Sequence, residues 1–283
     1  MRFVQLIGLF APVIAWAGAP VALAAEVITL GASADATIFE PVVGQESASG
    51  QGNSLFVGRT GGNIARRTLL RIALDSCPPG STITDCELIL SLDRTSAGPS
   101  VVSVSRVIAD WTEGPSTPTG GEGGGAPAVA GDVTWLSRTY PSVPWSNAGG
   151  DFVAAESATT IVGTAGGYIW SGPGMVADVQ RWLDHPSENF GWILLGDESQ
   201  FPTAKRFGSR TNPEAQLRPV IRIEFIPPAP CVGDDDADSD TDSDDIVSFF
   251  SGWELGERDA DGDGDTDSDD ILAFFASWES GCS

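Results

Sequence analysis

The sequence predicts a mainly β protein: an antiparallel β-sandwich or jelly roll with one short helix, followed by a small α-helical calcium loop–helix module at the C-terminus. Two observations lead to this fold class. Short stretches of alternating apolar and polar residues recur through residues 26–226 and are separated by Gly, Pro and Ser clusters. Beyond them, an acidic sequence occurs twice, 25 residues apart, and each copy continues into apolar residues at helical spacing.

Residues 1–25 have the pattern of a secretory signal peptide. Arg2 supplies a positive charge, an apolar stretch follows, and Ala22 to Ala24 offer small residues for cleavage. We expect the mature chain to start near Ala25 or Glu26 and to be secreted, either extracellular or attached to the cell surface. A retained membrane anchor is the alternative. No other stretch is long and apolar enough to span a bilayer, so the mature protein is not expected to cross a membrane.

Residues 26–226, the β domain, contain the predicted strands. In 220–226, for example, Ile221, Ile223 and Phe225 face one way and their charged neighbours face the other. The predicted strands are 27–30, 35–39, 54–58, 67–74, 86–92, 102–107, 132–137, 167–170, 191–196 and 220–226. A short helix is predicted in 174–186 from the helical spacing of Val176, Val179, Trp182 and Leu183. We expect Trp170, Trp182 and Trp192 in the core.

A Pro-rich linker, residues 227–230, separates the β domain from residues 231–283, the C-terminal module. The module holds 18 of the 39 acidic residues and a single basic residue, Arg258, so its net charge of −17 is most of the chain's −24. Basic residues are not clustered anywhere in the sequence, so nucleic acid is not an expected partner.

The module contains two predicted calcium loops. Calcium loops take oxygen ligands from positions 1, 3, 5, 7, 9 and 12 and place a sharp turn, usually Gly, at position 6. Position 6 is Gly264 in the second loop and Ser239 in the first. The loops contain no His or Cys, so zinc is disfavoured and Ca²⁺ is the expected cofactor. The ligand positions are Asp234, Asp236, Asp238, Asp240, Asp242 and Asp245 in the first loop, and Asp259, Asp261, Asp263, Asp265, Asp267 and Asp270 in the second.

Each loop is followed by a predicted helix. Ser243 and Ser268, with the Asp pairs after them, are good helix starters. One face of each helix is apolar, so the two helices can bury these faces against each other; the residues are Ile246, Phe249, Phe250 and Trp253, and Ile271, Phe274, Phe275 and Trp278. A disordered acidic tail and an array of calcium loops without helices are the alternatives.

From Cys231 to Cys282 the pattern resembles a dockerin, the duplicated loop–helix module that attaches secreted polysaccharide-degrading proteins to a cohesin. The resemblance implies a cohesin-like or surface-assembly partner. Loop positions 10 and 11 help dockerins to choose their partner, and the two repeats are identical there. These candidate partner-binding residues are Ser243, Asp244, Ser268 and Asp269.

The β domain resembles DNRLRE-domain proteins across nearly its full length. The resemblance lies in the stretches DATIFEP, LFVGR, RRTLLRIAL, ADWTEGPS, VTW, VADVQRWLDHPSENFGWILLGDES, AKRFGSR and RPVIRIEF. It implies a β-sandwich of secreted proteins, some of whose relatives are carbohydrate-binding modules. The family usually has Glu after the Ser-Arg pair, where this chain has Thr211.

The four cysteines fit an oxidising compartment and allow three pairings. Pairing within each local stretch is expected, as Cys77–Cys86 and Cys231–Cys282.

Catalytic residues are not predicted. A glycosidase needs two carboxylates across a bond, and nothing in the sequence places Asp110 and Glu113 at a cleft. His185 is expected in a surface turn. Arg71, Arg210 and Arg218 are expected in buried ion pairs.

Glycan binding is predicted instead, because sugar rings pack on exposed aromatic rings. Trp111, Trp135 and Trp145 flank a Gly-rich insertion at 119–132 and are the candidates. The sequence thus favours an exported, non-catalytic accessory protein linked to polysaccharide degradation, which binds a polysaccharide or cell-surface glycan and attaches through a calcium-dependent module. The alternatives are a structural or surface-assembly protein and a polysaccharide-degrading enzyme.

Overall fold

A computed structural model of the chain describes residues 24–42, 44–95, 97–228, 231–236 and 241–281. Most of the predicted signal peptide and part of the linker therefore lie outside the described residues. So do four residues of the first predicted calcium loop, Ala237, Asp238, Ser239 and Asp240, and the predicted disulfide partner Cys282.

The described part of the β domain is mainly strand, as the alternation predicts. The strands are β1 (Glu26–Gly31), β2 (Ala34–Phe39), β3 (Ser47–Ala48), β4 (Ser54–Arg59), β5 (Ala65–Arg71), β6 (Thr82–Thr95), β7 (Ser100–Arg106), β8 (Ala126–Pro127), β9 (Ser137–Thr139), β10 (Val143–Pro144), β11 (Ala158–Val162), β12 (Gly166–Ser171), β13 (Trp192–Gly196), β14 (Lys205–Gly208) and β15 (Val220–Ile226). The helices of the described chain are α1 (Pro173–Asp184), α2 (Ser243–Trp253) and α3 (Ser268–Ser280).

Eleven of these strands form one antiparallel sheet that curls on itself. Its main path runs β1-β15-β6-β14-β4-β5-β13-β7-β11, while β12 pairs with β6 and β2 pairs with β5. The neighbouring strands β11 and β12 pair with β7 and β6 respectively, which lie far apart along the path. This arrangement confirms the predicted antiparallel β class; the finer assignment to a sandwich or jelly roll stays a prediction.

One predicted strand, 132–137, is wrong. Residues 132–136 form a loop, and only Ser137 enters a strand. The Asp132 carboxylate is fully buried and accepts hydrogen bonds from the backbone N–H groups of Ser116 and Val129, while the Thr134 N–H donates to the Ser137 carbonyl. These local bonds satisfy the backbone without a sheet partner. The short strands β3, β8, β10, β11 and β14 lie outside the predicted strands.

The main hydrophobic core includes Trp170, Trp182 and Trp192, as the sequence predicts. The predicted helix is also confirmed as α1, and it buries Val179 and Trp182 against this core. Its C-terminal end is capped at His185, whose N–H donates to the Arg181 carbonyl.

A second core lies on the opposite face of β5 and β13. Successive residues of a strand face opposite sides, so Leu70 and Leu194 enter the main core while Leu69 and Ile193 enter the second. The second core is completed by side chains from the long segment 107–157, including Val107, Trp111, Val133, Trp135 and Trp145. That segment therefore covers the sheet rather than standing out from it.

Among the residues that the structure describes, no helix has the length and apolar character needed to cross a membrane.

Candidate metal centre in the C-terminal module

Both helices of the module begin with the same capping arrangement. The N-cap is Asp242 in α2 and Asp267 in α3, and each aspartate exchanges hydrogen bonds with the carboxylate residue three positions later, Asp245 or Asp270. The predicted starters Ser243 and Ser268 are thus the first helical residues rather than the caps. The capping hydrogen bonds bring positions 9 and 12 of each loop together at the start of the helix.

The second loop gathers its six predicted ligands into two groups. Asp259, Asp261 and Asp263 form one group and Asp265, Asp267 and Asp270 form the other, and within each group one carboxylate oxygen per residue lies within 4.8 Å of the others. All but Asp270 are exposed. The described residues of this loop therefore place carboxylate oxygens close enough to hold a metal ion.

Backbone geometry explains the shape of this loop. Gly264 has a φ of 97°, the positive range that glycine adopts without a Cβ penalty, and its N–H donates to Asp259 Oδ2 at 3.0 Å. The N–H groups of Asp263 and Asp265 donate to the carboxylates of Asp261 and Asp263, both at 3.1 Å. The predicted sharp turn at position 6 is confirmed in this loop.

Asp270 is the buried anchor of the second loop. Its Oδ1 accepts from the Ala260 N–H at 2.7 Å and its Oδ2 accepts from the Asp267 N–H at 2.6 Å. One carboxylate thus joins the beginning of the loop to its end. The donation from Asp267, joined by the Asp261 and Ala260 N–H groups, holds the pKa of Asp270 below its ordinary value.

The other carboxylates of the second loop repel one another. The pKa of Asp265 is raised by the negative charges of Asp263 and then Asp267. A cation among them would relieve this repulsion. The donors are all oxygen, which suits a hard ion such as Ca²⁺, so the residues present fit the predicted cofactor.

The first loop repeats this network in its described residues. Asp234, Asp236 and Asp245 form a group of carboxylates that could hold an ion. Asp245 is buried and accepts from the Asp235 N–H at 2.8 Å and the Asp242 N–H at 2.7 Å, matching the bonds of Asp270. The predicted ligands Asp238 and Asp240 lie outside the described residues.

The two repeats pack as a symmetric pair. Phe249 of α2 and Phe274 of α3 are buried and stacked, with ring centroids 4.1 Å apart. Trp253 Nε1 donates to the Asp267 carbonyl and Trp278 Nε1 donates to the Asp242 carbonyl, each at 2.9 Å. Each helix therefore holds position 9 of the other repeat's loop, so the loops and the helix pair form one unit.

Arg258 links the two loops electrostatically. Its guanidinium lies 2.8 Å from the carboxylate of Asp235, which is position 2 of the first loop, and Arg258 itself precedes the first ligand of the second loop. The only basic residue of the module thus sits between its two acidic loops.

The candidate partner-binding residues, Ser243, Asp244, Ser268 and Asp269, are all exposed at the helix starts. The packing of the helices places them at equivalent positions of the two repeats.

The cysteines differ in their bonding state. Cys231 is disulfide-bonded, and its predicted partner Cys282 lies outside the described residues. The predicted Cys77–Cys86 disulfide is wrong, because both are free, buried thiols. A turn ends at Ser81 and β6 then carries Cys86 away in extended chain, about 13 Å at roughly 3.3 Å per residue, whereas a disulfide needs Cα atoms within about 7 Å. Burial raises the pKa of the Cys86 thiol to about 12.

The predicted glycan-binding role of three tryptophans is also wrong, because the structure buries them. Trp111, Trp135 and Trp145 are buried in the second core, with 3%, 8% and 5% of their surface exposed. Trp111 Nε1 donates to the Phe190 carbonyl and Trp145 Nε1 to the Thr134 carbonyl. These rings cannot stack on a sugar, because segment 107–157 folds back over the sheet and encloses them.

Two of the three arginines form ion pairs, but neither pair is buried as predicted. Arg71 pairs with the exposed carboxylate of Asp110 at 2.6 Å, and Arg210 donates to the half-buried Glu113 carboxylate through two nitrogens. Arg218 differs, since its Nε donates to the Asn212 carbonyl. His185 is exposed at the end of α1, as predicted.

Asp35 joins Arg210 and Glu113 in one cluster of charged groups, and the sequence does not predict this. Asp35 is 1% exposed, its Oδ2 accepts from the Arg210 N–H at 2.6 Å, and its own N–H donates to Glu113 at 2.8 Å. Burial raises its pKa to about 7, despite the opposing bond from Arg210. The one local sign that Asp35 is buried is its place within a predicted strand, at the start of the stretch DATIFEP.

No known family model matches the chain, and no curated protein shows significant similarity to it. The resemblances to dockerins and to DNRLRE-domain proteins therefore rest on the motifs themselves.

Proposed function

We propose that the C-terminal module is a calcium-dependent docking module that attaches the β domain to a protein partner outside the cell. One observation carries the proposal: two loop–helix repeats with matching carboxylate networks are locked together by reciprocal tryptophan bonds. Two Ca²⁺ ions are the expected cofactors, one held by each set of six aspartates. Bound Ca²⁺ would neutralise the carboxylates of the loops. The first residues of each helix would then be held in one geometry, to which a partner binds.

The surface offered to the partner supports this proposal. Ser243 and Asp244 in one repeat, and Ser268 and Asp269 in the other, are exposed beside the loops. Because the repeats are equivalent, a partner could be bound by either helix start. The resemblance to dockerins makes a cohesin-like protein the expected partner.

We propose further that the β domain is not catalytic. The two carboxylates considered for a glycosidase are held by arginines, Asp110 by Arg71 and Glu113 by Arg210. A carboxylate held in an ion pair by an arginine is not free to give its proton to a leaving group, as a general acid must. Product release from polysaccharides by the full chain would contradict this proposal.

Of the two non-catalytic roles, the burial of Trp111, Trp135 and Trp145 favours a structural or surface-assembly role for the β domain over glycan binding. Glycan binding by another surface of the domain stays a prediction, and a glycan array probed with the full chain tests it.

The docking proposal is tested by immobilising the full chain and applying exported proteins of the source organism with Ca²⁺ or with chelator. We expect a discrete protein to be retained only with Ca²⁺. The double variant Ser243→Arg, Ser268→Arg should lose retention while still binding Ca²⁺. The matched control Glu254→Arg, Glu279→Arg changes two exposed and equivalent residues at the other ends of the helices. Equal retention in chelator, or loss in the control alone, would refute the proposal.

A further inference from the structure

A cavity of about 310 Å³ lies in the β domain, beside the end of β2 and the beginning of β5. Phe39 and Arg66 stand opposite each other in these two paired strands, and both line the cavity. The lining residues Val42 and Gln45 are exposed, so the cavity opens to solvent. The proposed function makes no use of it.

Arg66 is a buried cation without an anionic partner. It is 8% exposed and takes part in none of the ion pairs among the described residues. Burial lowers the pKa of its guanidinium, because the charged form is removed from water. A buried charge destabilises a fold unless a counter-ion compensates for it, and the described part of the chain supplies none for Arg66.

Arg66 also uses only part of its hydrogen-bonding capacity. Its Nε donates to the Gly123 carbonyl at 2.6 Å and its Nη1 donates to the Ile64 carbonyl at 3.2 Å. A guanidinium has five N–H donors, so three remain, on Nη1 and Nη2. Nη2 makes no hydrogen bond within the described residues, yet it is not one of the enclosed polar atoms left without a partner, so it retains accessible surface. Because Arg66 is otherwise buried and lines the cavity, that surface belongs to the cavity.

Lys205, the other buried basic residue of the described chain, has no such unused donors. Its Nζ carries three N–H groups and lies within hydrogen-bond distance of three oxygens. These are the Gly98 carbonyl at 2.6 Å, Thr95 Oγ1 at 3.3 Å and the Ala97 carbonyl at 3.5 Å. The unused donors of Arg66 are therefore a local feature of its cavity and not a general property of buried cations in this fold.

We propose that this cavity binds a small organic acid through its carboxylate, with Arg66 as the counter-ion. A planar carboxylate can accept two parallel hydrogen bonds from Nη1 and Nη2. Gln45 and Ser47 also line the cavity, and their side chains make no hydrogen bond within the described residues, so they can donate to the ligand as well. The apolar lining residues Ile64 and Pro127 accommodate a short apolar body. The volume is at the lower end for ligand cavities, which restricts the ligand to a small ring or short chain.

The charges around the cavity favour a ligand with a single negative charge. Glu40 also lines the cavity, and its Oε2 accepts from Arg59 Nη1 at 3.1 Å and from the Ala65 N–H at 2.8 Å. Arg59 offsets the charge of Glu40, which leaves the charge of Arg66 to be balanced. A doubly charged anion such as phosphate would be repelled by the Glu40 carboxylate, and a neutral ligand would leave Arg66 without a counter-ion.

The probes for this proposal are benzoate and benzamide, which have nearly the same size and shape but differ in charge. Saturation-transfer NMR and calorimetric titration on the full chain should detect benzoate binding. Benzamide should bind at least about tenfold more weakly, because it loses the hydrogen bonds between two charged groups. Inorganic phosphate should not displace benzoate. Equal affinities for the two probes, displacement by phosphate or the absence of benzoate binding would each overturn the proposal.

Two pairs of variants locate the binding. Gln45→Glu adds a negative charge at an exposed lining residue and should weaken benzoate binding about fivefold, whereas Gln200→Glu makes the same change at an exposed residue outside the lining and should not. Arg66→Met should abolish the preference for benzoate over benzamide, and Arg94→Met, at an exposed arginine outside the lining, should keep it. Melting curves check that each variant folds. Unchanged benzoate binding in Gln45→Glu, or in folded Arg66→Met, would contradict the assigned site.

Discussion

At the residue scale, buried carboxylates organise the β domain. Asp132 and Asp151 each accept backbone N–H bonds from loop residues within segment 107–157, and Asp35 accepts the Arg210 N–H across the fold. Hydrogen bonds to backbone N–H groups favour the charged form, whereas burial disfavours it. In Asp35 burial dominates, and its raised pKa makes the stability of the domain depend on pH.

The sign of that dependence follows from proton binding. An unfolded Asp releases its proton near pH 3.9, whereas folded Asp35 retains it up to about pH 7. Between these values the folded state binds more protons, so the contribution of Asp35 to the free energy of unfolding falls as pH rises, by at most about 1.4 kcal/mol per pH unit. Asp35→Asn should remove this fall in denaturant titrations at pH 5 and pH 8. The exposed control Glu156→Gln should keep the wild-type pH dependence; the same dependence in Asp35→Asn would show that burial does not control this carboxyl.

We expect Trp135 to stabilise the fold of the β domain and not to bind a glycan. It lies in the second core, where the Arg67 guanidinium sits 4.6 Å from its ring. Trp135→Ala should lower the free energy of unfolding by about 3–5 kcal/mol, as for other large buried aromatics. Leu136→Ala changes the next residue, which is 42% exposed, and should cost less than about 0.5 kcal/mol. Similar small losses for both variants in chemical denaturation would show that segment 107–157 does not cover the sheet.

At the scale of elements, the loop–helix repeat combines two tasks in the same side chains. Asp245 and Asp270 complete the capping boxes of α2 and α3 and also stand at position 12 of the predicted metal loops. Capping can therefore position these carboxylates before an ion arrives, while repulsion among the remaining carboxylates opposes closure of the loop.

The turn at position 6 gives a test of the second loop. Alanine at the φ of 97° found for Gly264 is strained by about 1–2 kcal/mol. Gly264→Ala should therefore weaken Ca²⁺ binding at one site by roughly 5- to 30-fold in calorimetric titration. Ser239→Gly, at the same position of the first loop, should strengthen the other site. An unchanged titration of Gly264→Ala would mean that this turn does not shape the site.

At the scale of the whole molecule, features with a strong local pattern could be predicted from sequence. β15 alternates strictly, β6 alternates from Cys86 to Leu92, α1 has clear helical spacing, and the acidic loops repeat. Features that depend on contacts between residues far apart in the sequence could not be predicted. Trp135 is buried because segment 107–157 folds over the sheet, Cys77 and Cys86 are separated because a strand begins between them, and Asp35 meets Arg210 from 175 positions away.

Equilibrium dialysis of the full chain against Ca²⁺ measures directly whether the C-terminal module binds two Ca²⁺ ions. We predict two saturable sites per chain, and one fewer in each of the variants Asp245→Asn and Asp270→Asn, because each removes one charge from position 12 of a loop. Asp269→Asn removes the same charge from an exposed neighbour that is not a predicted ligand, and it should retain both sites. The absence of saturable Ca²⁺ binding, or equal losses in Asp269→Asn and Asp270→Asn, would show that the two loops are not the proposed calcium sites.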